Sequence, residues 1–264
     1  MNEGVIDLSV VDIALGYVFV LLVLWILRRQ SIKRESVLII ATVRMTLQLV
    51  AMGLVLTVVL ENPTPFVTFP IILVMVVFAV FTVFRKFKGQ LNQSLKRVIM
   101  FSLPVGTLST VFYFLFVVVR ITPYYDPQYF IPISGMIIGN SMTGISLGIH
   151  TMINRFTDNK DEVVEALNLG ARPKDASQPI ISEAFDSAIM PTLTNMLGLG
   201  IIFLPGMMTG QILSGVMPMT AITYQIGIML GILGGVSLTT YVFLRLAYRT
   251  FFNDQSQLRI SDSV

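Results

Sequence analysis

The side chains in this sequence that can do chemistry stand inside apolar runs. Arg44 and Gln48 lie one helical turn apart and share a face. Asn140, Thr143 and the single histidine, His150, follow one another along a later apolar stretch. Met207, Met208, Thr209 and Gln211 crowd a glycine-rich segment without any charge. Polar groups held in an apolar setting are costly, so each is a candidate for binding and moving a solute. Thioethers offer soft donors, and Thr209 and Gln211 offer oxygens. Covalent catalysis has less to work with. There is no cysteine, hence no thiol nucleophile and no thiolate-bound metal. The pair Ser141 and His150 falls about 180° apart around one helix and cannot meet. No run of His, Asp and Glu names a metal site, so the metal ligands stay unknown. No Gly-x-x-x-x-Gly-Lys-Ser/Thr phosphate loop is present, so the chain has no ATP site of its own.

The elements that must position these residues are set by composition. Charged residues make up 12% of the 264 residues, about half the usual share, and hydrophobic residues 54%. That excludes a soluble enzyme or nucleic-acid binder. Seven stretches are long and apolar enough to cross a bilayer: Leu8 to Leu27, Val37 to Leu60, Phe66 to Phe84, Val98 to Val119, Ile131 to Ile153, Ser187 to Leu204 and Ala221 to Leu244. Glu3 and Asp7 stand before the first, where a signal peptide would be basic, so this span is expected to stay in the mature protein. The expected fold is all-α, a polytopic seven-helix bundle forming one permease domain over 1–264.

Basic residues supply the orientation. Arg28, Arg29, Lys33 and Arg34 follow span one, and Arg85, Lys86, Lys88, Lys96 and Arg97 follow span three. Arg155, Lys160, Arg172 and Lys174 follow span five, and Arg245, Arg249 and Arg259 follow span seven. With alternating spans all of these share one side, which leaves Arg120 outside and Arg44 within a span. This is the positive-inside pattern, with the N-terminus outside and the C-terminus cytoplasmic.

Arg44 sits about 10 Å from the cytoplasmic start of its span, close enough to snorkel to headgroups. The other reading is an interior pair with a carboxylate such as Asp186, or with substrate. Asp12 lies near the outer surface and is expected to be wet. In span five, Gly135/Gly139 and Gly144/Gly148 fall on opposite sides, which implies a helix closely approached from both. Asn140, Thr143 and His150 lie between these faces and are expected to meet a cavity or a neighbouring helix. The stretch Pro205 to Pro218 suggests a tight or re-entrant turn at the outer surface, which backbone can adopt there only against protein or water.

The long cytoplasmic loop reads as helix, turn, helix. Asn159 and Glu162 have capping-box spacing, and Val163, Val164, Ala166 and Leu167 form an apolar stripe. Gly170 can close the helix in a left-handed cap, and Pro173 opens a second one. The stripe suits docking on another protein or packing on its own bundle.

Glu165-Ala166-Leu167-Asn168-Leu169-Gly170-Ala171 resembles the EAA-type sequence of ABC transporter permeases, with Ile180 where that pattern expects isoleucine. The usual Leu-Pro is replaced by Ser182-Glu183. Pro205 to Gly215 with Tyr224-Gln225, together with Arg44, Gln48, Gly53 and Gly139-Asn140-Ser141-Met142, is similar to the Fet-type iron-export ABC permease family, which is related to plant aluminium-tolerance permeases. The resemblance covers nearly the whole chain. It implies a multi-pass subunit of the bacterial cytoplasmic (inner) membrane that moves a metal ion, iron, outward. It implies a dimer working with a separate cytoplasmic ATPase that carries ATP and Mg, while this chain binds no cofactor. Loop 154–185 is then the coupling loop, with Glu162, Glu165, Ala166, Leu167, Gly170 and Ala171 toward the ATPase. The expected pathway residues are Arg44, Gln48, Asn140, Thr143, Met207, Met208, Thr209 and Gln211. The rival function is an ATPase-independent secondary transporter or channel for a small cation. Nucleic acid is not an expected partner; the lipid bilayer is.

Overall fold

The computed structural model describes residues 9–253 and 255–258. The expected span start at Leu8, the acidic Glu3 and Asp7, and Arg259 lie outside the described residues. Every regular element among the described residues is helical. Six are long and apolar enough to cross a membrane. The first is the pair α1 (Val10–Gly16) and α2 (Val18–Arg29). Then come α3 (Glu35–Glu61), α4 (Pro65–Lys86) and α5 (Gln93–Tyr113), the last running on through a π-helical turn over Phe114–Val119. The other two are α6 (Pro127–Asp158) and α11 (Pro218–Ala247). Between them stand the short α7 (Lys160–Asn168) and α8 (Pro173–Ala176), then α9 (Gln178–Gly198) and α10 (Gly206–Leu213).

Local signals explain where the helices start. Asp12 and Ser9 form a capping box, the Ser9 N–H donating to Asp12 Oδ2 at 2.8 Å and the Asp12 N–H to Ser9 Oγ at 3.3 Å. Asn92 caps α5 and Asp126 caps α6, each accepting a first-turn N–H. Pro65, Pro127 and Pro218 occupy first helical positions, where no N–H is required.

The expected sixth span is displaced. Its helix, α9, starts at Gln178 rather than Ser187 and ends at Gly198 rather than Leu204. Gly200 takes a positive φ of +81°, and Leu199 and Phe203 form an isolated bridge, so the apolar run Leu199 to Leu204 is a loop. The early start brings Gln178, Ser182 and Glu183 into the helix, which is why it falls outside the six that qualify by hydropathy.

The core lies in α4, α5, α6, α9 and α11. In α6, 56% of the apolar window is buried, against none in the first span and 6% in α3, so the first two spans leave nearly all of their surface for lipid. Lipid removes the hydrophobic drive for helices to associate, and close packing at small residues takes its place. A Cβ on Gly106 of α5 would lie 2.5 Å from Thr239 Cα of α11. A Cβ on Gly235 of α11 would meet Ile137 Cγ2 of α6 at 2.7 Å, and one on Gly144 would meet Val236 Cγ1 at 2.6 Å.

One of the two expected close faces on α6 is therefore present. Gly144 and Gly148 pack against α9 and α11. The other face is not closed: Gly135 meets only the mobile end of Met75, and Gly139 has nothing within 4 Å. Side-chain polarity is absorbed within helices. Thr143 Oγ1 donates to the Gly139 carbonyl at 3.1 Å and Asn140 Nδ2 to the Met136 carbonyl at 2.8 Å, in place of the interhelical bonds open to them in the sequence.

Candidate translocation site

Four helices enclose a cavity of about 190 Å³. Met136 and Asn140 come from α6, Thr192 and Asn195 from α9, and Gln225 and Met229 from α11; Pro205, Gly206 and Met207 close it at the start of α10. Asn140 donates one of its two amide N–H groups to the Met136 carbonyl at 2.8 Å. Gln225 is 7% exposed and its Oε1 has no hydrogen-bond partner. The first N–H groups of α10 receive no capping side chain, the first intrahelical bond of that turn being Thr209 N–H to the Pro205 carbonyl at 2.9 Å. No lining side chain is ionisable.

The segment after α9 is thus a broken helix, with loop, short helix and turn in succession before α11 resumes. Within it α10 packs on protein, lying against α11 with Met208 buried, whereas Ile201 and Ile202 of the loop are exposed. Met208 turns away from Met207 into a second, apolar cavity of about 410 Å³, shared with Met196, Gln225 and Met229.

The expected pathway residues divide among separate places. Asn140 and Met207 meet in the first cavity, and Met208 lines the second. Thr209 donates its hydroxyl back to the Pro205 carbonyl, and Gln211 lines neither cavity. Thr143 and His150 are exposed on the open side of α6. Arg44 and Gln48 line a groove of about 750 Å³ between α3 and the end of α4, with Arg85 and Lys86. The Arg44 guanidinium lies 4.9 Å from the centre of the Phe78 ring. Asp186, the partner open to it in the sequence, lines a different cavity with Lys174 and Arg245. Thr192 and Asn195 were not singled out in the sequence, and Gln225 only within a motif; a glutamine in the apolar thirty-residue α11 was the available signal.

The cytoplasmic loop has a defined shape. α7 follows α6 after one residue, and Asn159 meets Glu162 side chain to side chain, Nδ2 to Oε2 at 2.9 Å, without capping the backbone. The capping-box expectation fails because Asn159, with φ −99° and ψ 27°, lacks the extended conformation from which a cap side chain reaches the first-turn N–H groups. Gly170, at φ +91°, ends α7 in a Schellman motif. Its N–H bonds the Leu167 carbonyl at 3.0 Å, and the Ala171 N–H bonds the Ala166 carbonyl at 3.0 Å. The apolar stripe does not face outward as a unit. Val163 is buried and Leu167 packs on the core, while Glu162, Glu165, Asn168 and Leu169 are exposed. Arg172 Nε donates to Asp175 Oδ2 at 2.8 Å, and this bond holds the Asp175 carboxyl below the usual aspartate range and raises the guanidinium.

Comparison with known proteins agrees with this architecture. The profile of the family described as "Uncharacterised protein family (UPF0014)" matches residues 10–252. The UPF0014 membrane protein slr1647 of Synechocystis sp. is 32% identical over 262 residues, 98% of this chain and 100% of that protein. The probable iron export permease protein FetB of Escherichia coli is 38% identical over 135 residues, 51% of this chain and 52% of its own. Protein ALUMINUM SENSITIVE 3 of Arabidopsis thaliana is 33% identical over 164 residues, 62% and 59% of the two chains. No solved structure matches. With a helical bundle of membrane-spanning length and a profile match along almost all of it, the chain belongs to the UPF0014 family of multi-pass inner-membrane, permease-type proteins.

Proposed function

We propose that this chain is the membrane-spanning subunit of an ABC transporter that exports a metal ion, iron, using ATP and Mg held by a separate ATPase chain. The observation that carries the reading is α7. It is a helix capped at its C-terminal end on the basic side of the bundle, and it presents Glu162, Glu165 and Leu169 outward while Val163 and Leu167 anchor it to the core. A short helix joined to α6 through Asn159 and closed at Gly170 passes a push from a docked partner into α6 and, through α8, into α9. The likeness to a probable iron export permease supports the cargo. The residues 1–264 then act as one permease domain, with 154–185 as the coupling loop.

In this reading α9 makes a seventh crossing, with its polar start in the cytoplasm. An odd number of crossings keeps Arg28, Arg85, Arg155 and Arg245 on one side, places the N-terminus outside and leaves the C-terminus in the cytoplasm. Two copies associate along the open side of α6, where Gly139 leaves room for close approach and Thr143 and His150 need cover from lipid.

The test is co-purification of the full chain with its ATPase, before and after Glu165→Lys, alongside the iron content of cells lacking both subunits under iron load. The expected outcome is an ATPase that is retained by the native chain and lost with the variant, and iron that accumulates in the deleted cells. A chain that transports without any ATPase overturns the ABC assignment; unchanged iron content overturns the cargo.

A further inference from the structure

The groove between α3 and the end of α4 gathers positive charge at membrane depth. Arg44 and Gln48 line it from α3, and Arg85 and Lys86 from the last turn of α4. Arg44 stands nine residues beyond the start of α3 at Glu35, about 13 Å along the helix. Its guanidinium rests 4.9 Å from the centre of the Phe78 ring, and Phe78 lies eight residues before the end of α4, so the charge is held at that depth by an aromatic face. A guanidinium keeps its proton in any protein setting and so calls for an anion there. Among the described residues no carboxylate pairs with Arg44, Arg85 or Lys86, and none lines the groove. Glu35, the acidic residue at the start of α3, lies 3.7 Å from Arg28 instead.

The same residues decide the occupant. A bare metal cation is repelled by three positive charges. A second copy meeting this groove about a two-fold axis would bring three more cations against them, with no carboxylate to answer. A soluble partner can reach Arg85 and Lys86 but not the depth of Arg44. A small free anion would meet the charges and leave the rest of the groove empty, since its volume is about 750 Å³ and Ile40, Met45 and Leu49 make its other wall apolar. Nor does the protein close the groove itself, because α3 packs chiefly on α2 and α6 and not on α4. The lining therefore asks for a phosphate that carries apolar chains, and basic pockets between membrane helices on the cytoplasmic side hold such headgroups.

We propose that this groove is a binding site for one anionic phospholipid of the cytoplasmic leaflet. Its phosphate takes the charge of Arg44, Arg85 and Lys86, Gln48 donates to an ester oxygen one turn deeper on the same helix, and the acyl chains lie along the apolar wall. The lipid then joins α3 to α4, and Arg44 and Gln48 serve this contact and not the passage of the cargo. The choice of leaflet rests on the orientation proposed above; the preference for an anionic lipid follows from the groove alone.

The test uses the purified full chain in a neutral detergent, with phosphatidylglycerol, phosphatidylcholine and inorganic phosphate as probes, read by native mass spectrometry and thermal shift. One phosphatidylglycerol per chain is expected to bind, roughly tenfold or more tightly than phosphatidylcholine, and to raise the melting temperature. Inorganic phosphate is expected to do neither. Arg44→Gln is expected to weaken phosphatidylglycerol roughly tenfold, the loss of a hydrogen bond to a charged group. Arg44→Lys should weaken it less, since the charge stays while the planar fork and its stacking are lost. Arg85→Gln with Lys86→Gln, both exposed at the end of α4, is expected to weaken binding by a similar factor with the fold intact. Lys160→Gln with Lys174→Gln removes the same charge from exposed positions outside the groove and is expected to leave binding unchanged. Phosphatidylcholine bound as tightly as phosphatidylglycerol, inorganic phosphate bound as tightly as either, binding unaffected in both groove variants, or an equal loss in the Lys160 and Lys174 variant each overturns the proposal. Because these readings need no ATPase, no iron and no sidedness, their failure leaves the permease assignment standing, and loss of ATPase docking leaves the lipid result standing.

Discussion

Arg155 in the last turns of α6 and Glu183 in α9 are joined across the cytoplasmic loop, the guanidinium Nε donating to Glu183 Oε1 at 2.8 Å with a second contact from its terminal nitrogen. The pair closes the base of the segment that holds α7 and α8. Both side chains are close to half exposed, at 44% and 46%, so screening limits what the pair contributes to stability. Arg155→Ala is expected to leave global stability nearly unchanged, read by melting in detergent. Its larger effect is expected on the loop: faster proteolysis between residues 159 and 177, restored by the swap Arg155→Glu with Glu183→Arg. A large drop in melting temperature would show that the pair belongs to the core.

The closest contact between α5 and α11 yields a sharper effect. A Cβ at Gly106 would sit 2.5 Å from backbone Cα of Thr239, an atom that cannot turn aside. Gly106→Val is expected to destabilise by about 1–3 kcal/mol or to separate the two helices outright. Thermal melting of the purified chain checks it. A variant as stable as the native chain would mean that α5 and α11 do not approach at this point.

Gly139 provides the contrast on the same bundle. Nothing lies within 4 Å of an added Cβ, so Gly139→Leu is expected to leave the monomer's stability within about 0.5 kcal/mol of the native value, as for substitutions away from packed features. The same variant is expected to shift the chain from dimer to monomer, read by light scattering of the detergent complex. An unchanged dimer places the interface elsewhere.

Much of the fold was legible because hydropathy acts locally. Six of the expected spans coincide with helices, each displaced by a few residues where a cap such as Asn92 or a proline such as Pro127 lies outside the apolar run. The sixth span misled because Leu199 to Leu204 is as apolar as a helix, yet Gly198 and Gly200 break it and the true helix begins among polar residues. The α7 cap was legible because Gly170 has a backbone reason to be glycine. The cavity was not. Asn140 and Met207 could be suspected singly, but Thr192, Asn195 and Gln225 join them only through the packing of α6, α9 and α11, and no periodicity in one helix encodes that. Arg44 shows the same limit, its neighbour Phe78 lying on a different helix.

The loop after α7 carries a pH response with a defined sign. The hydrogen bond from Arg172, aided by its charge and that of Lys174, holds the Asp175 carboxyl below the ordinary aspartate value. A depressed carboxyl contributes above its unfolded pKa of about 3.9 and loses that contribution as pH falls through the folded value. Protease sensitivity at α8 is therefore expected to be flat from about pH 8 to pH 5 and to rise only below about pH 4. Asp175→Asn should remove that rise. A change centred near pH 6 would point to a different group.

Gly170 tests whether the α7 cap matters for docking. Its φ of +91° is open to glycine, and no neighbour lies within 4 Å, so the cost of a side chain there is one of backbone alone. Gly170→Ala is expected to destabilise the end of α7 by about 1 kcal/mol, and Gly170→Val by more, because the branched side chain strains the left-handed conformation further. Gly170→Asn should be milder, since asparagine tolerates that region. If the capped end of α7 is what the ATPase grips, retention of the ATPase during purification should fall in the order native, Asn, Ala, Val while the melting temperature of the transmembrane bundle stays constant. Equal retention in all four would show that the partner reads the acidic face of Glu162 and Glu165 and is indifferent to how the helix ends.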